Sequence, residues 1–120
     1  MNADLARRLE NLIRFGRIKT IEPSQPYTTV TVNLGEITTG NIRYLNLRAG
    51  ADRTWDPPSI GEEVVVLSPS GVLDMGVAIA GLNNETNPAP SSDLNKVIRL
   101  FSDGCLICYD VSSHALEAIL

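Results

Sequence analysis

The chain has 120 residues, 43% of them apolar and 20% charged, and a formal net charge of −4. This length allows one modest hydrophobic core, which valine, isoleucine and leucine must largely build because aromatic residues make up only 5% of the chain. Its apolar runs are too short to span a bilayer, and it begins without the pattern of a secretion signal, so we expect synthesis in a cytoplasm.

Residues 1–15 are predicted to form an amphipathic helix. Its apolar stripe has four members at helical spacing, namely Leu5, Leu9, Leu12 and Ile13. Gly16 follows the stripe, and glycine commonly ends a helix because it adopts left-handed backbone angles without strain. The first strand is therefore expected to begin after the helix, in residues 16–22.

Five β-segments are predicted between residues 16 and 82. The clearest is 27–35, where apolar and polar residues alternate as in a half-buried strand. Residues 36–47 predict a third strand with an interruption at Thr39–Gly40. Residues 63–67 and 72–80 predict the two strands of a hairpin, whose near-continuous apolar run indicates burial on both faces. Five irregular segments and one long loop favour a small closed barrel of the OB type.

The C-terminal part of the chain is predicted to need partners. Residues 83–93 contain two prolines and no apolar anchor, as is typical of a linker. Residues 94–120 predict short strands that are too few to build their own core. We therefore expect other copies of the chain to complete them. Four apolar residues are candidates for the contact between these copies, namely Phe101, Ile107, Tyr109 and Leu116. The alternative is that the segment folds back on its own barrel.

No constellation of catalytic or metal-binding residues is recognisable. Cys105 and Cys108 match a C-x-x-C pattern, but their strand-like flanks favour packed, reduced thiols over a redox or zinc site. Adjacent Glu62 and Glu63 at a strand start would point apart rather than form a catalytic pair. His114 is the only histidine and most resembles a surface or interface residue. We predict no enzymatic activity and no cofactor in this segment.

The long loop after the third predicted strand is the most distinctive stretch. It contains Arg48, Arg53 and Trp55, which we interpret as a docking loop at a subunit or hub contact, with Trp55 as its anchor. The alternative is that Trp55 packs over the barrel while the arginines bond nearby carbonyl groups or the carboxylates of Asp52 and Asp56.

An ordered set of short motifs carries a resemblance to a known family. The motifs are Arg48-Ala49-Gly50, Arg53-Thr54-Trp55, Pro58-x-Ile60-Gly61-Glu62-x-Val64 and Gly81-Leu82. In this order they resemble the baseplate assembly protein V family of contractile-tailed bacteriophages, the trimeric central spikes of the tail. Residues 101–119 are similar to the beginning of the spike in that family. The resemblance implies an N-terminal OB-fold followed by an intertwined, three-chain β-helix that narrows to a tip. It therefore implies a homotrimer, in which the four apolar residues would pack around the threefold axis.

The resemblance also implies a function without chemistry. Such a chain would belong to the virion tail baseplate, assembled in the host cytoplasm, where it would cap the tail tube and contact other baseplate or hub proteins. The family's tip pierces the host outer membrane, but its slender shaft and iron-binding apex have no counterpart here. Because the chain ends within an apolar strand, we expect it to be a truncated piece of a longer spike.

The alternative is an OB-fold binding module for single-stranded nucleic acid or for an adaptor protein. Single-strand binders combine a basic groove with stacked aromatic side chains. Residues 62–120 carry eight acidic residues against Lys96 and Arg99, and the aromatic residues are scattered along the sequence. We therefore expect no nucleic acid partner.

Overall fold

The computed structural model of the protein describes residues 2–120. The chain divides into two compact units, one ending at Leu82 and one beginning at Asn83. The first unit contains a helix and five strands: α1 (Ala3–Asn11), β1 (Ile13–Glu22), β2 (Thr29–Asn33), β3 (Ile42–Tyr44), β4 (Glu63–Leu67) and β5 (Val77–Ala80). The second unit contains three strands: β6 (Lys96–Leu100), β7 (Leu106–Asp110) and β8 (Ala115–Ile119).

The five strands of the first unit form a closed barrel in the order β1-β2-β3-β5-β4. All pairs are antiparallel except β3 with β5. The long strand β1 closes the barrel because it pairs with both β2 and β4, and a register shift between Ile18 and Thr20 marks the point where it bends. The predicted mostly-β class, with a five-stranded barrel and a short N-terminal helix, is confirmed.

The barrel interior is built from β-branched residues, as the composition indicates. Strict alternation places Val30 and Val32 of β2, and Val64 and Val66 of β4, inside the barrel with no exposed surface. Burying each such side chain stabilises the fold by about 1.5–3 kcal/mol. The rest of the buried core consists of Ile18, Leu34, Ile42 and Ala78.

The predicted extent of the N-terminal helix is wrong. The helix ends at Asn11, and Gly16 lies inside β1, opposite Val64. A Cβ at Gly16 would lie 2.6 Å from both the Asn33 carbonyl oxygen and Val32 Cγ1. Glycine is therefore needed here for a close approach of two strands, not for a helix end. Ile13 also belongs to β1 rather than to the helix, because its pairing with β4 begins at this residue.

Two strand predictions were too long. The third strand is limited to Ile42–Tyr44. Before it, Thr39 Oγ1 accepts the Val32 N–H at 2.9 Å and donates to the Gly40 carbonyl at 2.8 Å, so a side chain takes the place of a backbone partner of β2. The returning strand of the hairpin starts at Val77, since 3₁₀ turns occupy Pro69–Gly71 and Leu73–Met75. The hairpin is also not buried on both faces in the single chain, where its outward-facing Leu67 is 40% exposed.

The second unit is a three-stranded antiparallel meander in the order β6-β7-β8. Its first turn contains Gly104 at φ 92° and is closed by Asp103, whose carboxylate accepts the Cys105 N–H at 3.0 Å. Its second turn is held by Asp110, which accepts from Ser112 N at 2.9 Å, and ends at His114 with φ 56°. Asx-type turns of this kind explain why the strands stop where the polar residues begin.

Candidate interaction surfaces

One face of the three-stranded sheet carries a row of apolar side chains. Val97 of β6 is paired with Tyr109 of β7, which is paired with Leu116 of β8. Directly opposed residues in antiparallel strands point to the same face, so these side chains are neighbours. They are 69%, 40% and 72% exposed respectively. We call these three residues the apolar row.

The structure brings three of the four predicted interface residues together. Ile107 lies two residues before Tyr109 in β7 and therefore shares its face, next to the apolar row. Phe101 lies just beyond β6, where its ring centroid is 5.4 Å from the Arg99 guanidinium carbon. Val97 was missed by the sequence analysis, because β6 reads Lys-Val-Ile-Arg-Leu and shows no alternation that marks one apolar face.

The two cysteines occupy different environments. Cys108 is buried in β7, whereas Cys105 precedes that strand, and both are free thiols. The Cys105 Sγ donates to Asp103 Oδ2 at 3.3 Å. This hydrogen bond, with a smaller effect of burial, raises the pKa of the Cys105 thiol. A raised pKa lowers the fraction of reactive thiolate, which disfavours redox chemistry at this position.

The predicted docking loop is a closed structure on the barrel. The Thr54 N–H donates to the Arg48 carbonyl at 3.0 Å, and the Arg48 N–H donates to Thr54 Oγ1 at 3.2 Å. Arg53 Nη1 donates to the Gly50 carbonyl at 3.5 Å, so one arginine makes the carbonyl contact considered in the alternative interpretation. Trp55, in contrast, is 61% exposed and is not covered by the barrel.

This loop forms one wall of a groove of about 1250 Å³. Six residues of its lining are arginine or aromatic, namely Tyr27, Arg43, Tyr44, Arg48, Arg53 and Trp55. We call it the arginine–aromatic groove. Within this lining, the Arg43 guanidinium carbon lies 5.7 Å from the ring centroid of Tyr27. Tyr27, Tyr44 and Trp55 are far apart in the sequence but line the same groove. The argument against a nucleic acid partner from scattered aromatic residues is therefore corrected for these three.

Tyr44 in this groove has a strongly shifted titration. Partial burial of the phenol raises its pKa to about 12, and the nearby charges of Glu62 and Asp56 act in the same direction. The raised pKa favours the neutral hydroxyl even further, and in this form it can donate a hydrogen bond.

The outer face of the barrel carries a second apolar surface that sequence reasoning missed. It consists of two cross-strand rows over β1, β4 and β5: Ile13, Leu67 and Val77, and Phe15, Val65 and Ile79. Ile13 and Phe15 are 64% and 65% exposed. Their alternation in β1 is a usable signal, but it was hidden because these residues were assigned to the helix.

Comparison with known proteins identifies the barrel. Residues 14–82 match the family model for the type VI secretion system/phage-baseplate injector OB domain. The chain belongs to this family. The match in the injector OB-domain family begins in β1 and runs past the end of β5, so it covers the closed barrel and the arginine–aromatic groove.

The chain is also similar to a spike protein. It is 36% identical over 113 residues to the protein named "Spike protein" of Escherichia phage P2. The alignment covers 94% of this chain and 53% of the phage protein, so the chain spans about half the length of this curated relative. The resemblance drawn from the ordered motifs is therefore confirmed, and the similarity extends beyond the injector OB domain.

Residues 2–120 show neither a cluster of metal ligands nor a membrane-spanning helix. No group of three or more histidine, cysteine, aspartate or glutamate side chains is arranged to hold a metal ion. In the same part of the chain, no helix combines the length and the apolar character that a bilayer crossing requires.

Proposed function

We propose that this chain is a structural component of a phage tail baseplate, forming the barrel and the root of its central spike. Membership of the injector OB-domain family and similarity to the P2 spike protein support this role. The observation that carries the proposal is the exposed apolar row of Val97, Tyr109 and Leu116. A sheet of three strands with such a face is more stable when another surface covers it.

Association of three copies of the chain is the simplest way to cover the apolar row. Contiguous exposed apolar surface marks interaction sites, and burying it contributes about 25 cal/mol per Å². β6 and β8 are also open edges of their sheet, which association with further strands would close. A homotrimer in which Ile107, Tyr109 and Leu116 meet around the threefold axis satisfies both requirements. The outer barrel face at Ile13 and Phe15 offers a second contact between copies.

The role that follows is mechanical. Three barrels form a collar that caps the tail tube and contacts other baseplate or hub proteins, and the C-terminal strands begin a stiff, intertwined β-helix. Force from contraction of the tail passes along this root to a tip that reaches the host outer membrane. The phage particle is assembled in the host cytoplasm, and the chain is a component of the finished virion. This function needs neither a catalytic step nor a cofactor.

Light scattering coupled to gel filtration tests the proposal directly. We expect the unmodified protein to elute at three times the 13.0 kDa chain mass. Ile107→Asp places a charge in the apolar face and is expected to give single chains, because an unpaired buried carboxylate costs several kcal/mol. Ser102→Asp adds the same charge in the exposed turn after β6 and is expected to remain trimeric.

Circular dichroism establishes that each variant keeps its barrel, and Leu116→Asp provides an independent second change in the same face. A single-chain mass for the unmodified protein would overturn the proposed trimer. Trimers of both Ile107→Asp and Leu116→Asp would show that this face is not the interface. The OB-fold nucleic-acid alternative requires salt-dependent binding of oligonucleotides, which we do not expect.

A further inference from the structure

We infer that the arginine–aromatic groove of the barrel binds an extended, acidic peptide segment of a neighbouring protein. The inference deepens the proposed function. It rests on that proposal only for the identification of the neighbouring protein as a tail protein. The chemistry of the groove itself is independent of the oligomeric state, since all of its lining belongs to the first unit of one chain.

Charge is the first argument. Arg43, Arg48 and Arg53 line the groove, and its lining within residues 2–120 includes no aspartate or glutamate. The chain as a whole is acidic, with a net charge of −4, so this positive patch is local. Guanidinium groups bind carboxylates through paired, charge-assisted hydrogen bonds. The complementary ligand therefore carries carboxylates.

Size and composition indicate a peptide. At about 1250 Å³ the groove exceeds the range of roughly 300–1000 Å³ that is typical of small-molecule sites. Tyrosine, tryptophan and arginine are the residues most enriched at the energetic centres of protein interfaces. Trp55 is 61% exposed, so most of its apolar surface is available to a partner.

The loop that forms the wall of the groove is already ordered by hydrogen bonds. Besides the two hydrogen bonds between Arg48 and Thr54, the Asp56 N–H donates to Asn46 Oδ1 at 3.2 Å. These contacts hold the loop on both sides of Trp55. A wall that is already ordered loses little conformational entropy when a ligand binds, so more of the contact energy becomes affinity.

The surroundings favour a peptide over a nucleic acid. Glu62 and Asp56 act electrostatically on Tyr44 and so place negative potential next to the groove. A continuous chain of phosphates would be repelled there, whereas a peptide can place its few carboxylates on the arginines alone. The neutral Tyr44 hydroxyl can then donate to a backbone carbonyl of the peptide.

The single tryptophan provides the readout, because Trp55 fluorescence reports on this groove alone. The full chain is titrated with a short peptide of alternating glutamate and serine, with the corresponding lysine–serine peptide, and with an oligothymidylate of matched length. We expect a saturable change for the glutamate peptide. Arg53→Gln and Arg48→Gln are each expected to weaken this binding about tenfold. Lys19→Gln, which removes the same charge from the exposed side of β1, should leave it within about twofold.

Three results would overturn the inference: no binding of the glutamate peptide, equal binding of the lysine peptide, or tighter binding of the oligothymidylate. The melting curves of Arg53→Gln and Arg48→Gln identify any variant whose weaker binding reflects loss of the fold. A trimer that fails to bind the peptide refutes the groove inference alone. A single chain that binds it refutes the proposed trimer alone.

Discussion

The backbone of Arg8 in α1 lies directly against Gly71, so closely that a Cβ at Gly71 would be 2.1 Å from the Arg8 carbonyl oxygen. Nearby, the Ser68 N–H donates to the Leu12 carbonyl at 3.0 Å. The helix is thus attached to the barrel through backbone contacts with the turn after β4. Leu5 and Leu9 of its apolar stripe remain 48% and 51% exposed.

Replacing Gly71 is expected to detach the helix. Gly71→Ala would place a methyl group against the Arg8 backbone, and the residue has a φ of 70°, which disfavours any side chain. We expect the free energy of unfolding to fall by about 2–4 kcal/mol, measured by denaturant titration. Gly50→Ala is the matched control, since nothing lies within 4 Å of a Cβ there. Equal stability of the two variants would contradict the close contact.

The hydroxyl of Thr39 is expected to hold the connection between β2 and β3. It is buried and is the acceptor for the Val32 N–H at 2.9 Å. Thr39→Val keeps the shape but leaves this buried N–H without that partner, which should lower the free energy of unfolding by about 1–3 kcal/mol. Thr38→Val, at the exposed neighbouring position, is expected to change it by less than about 0.5 kcal/mol. A Thr39→Val protein as stable as its control would refute this role.

The ion pair of Arg14 with Glu36 should make stability depend on pH. The two side chains are 2.6 Å apart, and the hydrogen bond from Arg14 holds the pKa of Glu36 below its usual 4.5. A carboxyl whose pKa is lower in the folded state stabilises the fold above its unfolded pKa, and this contribution is lost as the pH falls through the folded value. We therefore expect Glu36→Gln to be less sensitive than the unmodified protein to acidification below about pH 4.5.

Denaturant unfolding at neutral and acidic pH measures this difference. Glu10→Gln removes the same charge from the exposed helix surface and serves as the control. If Glu36→Gln and the unmodified protein lose the same amount of stability on acidification, the ion pair does not contribute to the fold.

Alternation within single strands was readable from the sequence. The alternation in residues 27–35 places Val30 and Val32 on one face, and the structure buries both, because the two-residue period of a strand depends only on local backbone geometry. Gly16 shows the limit of this reasoning. A glycine after a leucine stripe has the same appearance whether it ends a helix or lets two strands approach, and only the position of Val32 and Asn33 in space distinguishes the two.

The sequence by itself therefore determined the mostly-β class, the N-terminal helix and the family, because local periodicity and ordered motifs need no knowledge of distant contacts. Only the tertiary structure placed Tyr27, Arg43 and Trp55 around one groove and aligned Val97 with Tyr109 and Leu116. Strand register and barrel closure decide which distant side chains become neighbours. Both arise from pairing between segments that are far apart in the chain.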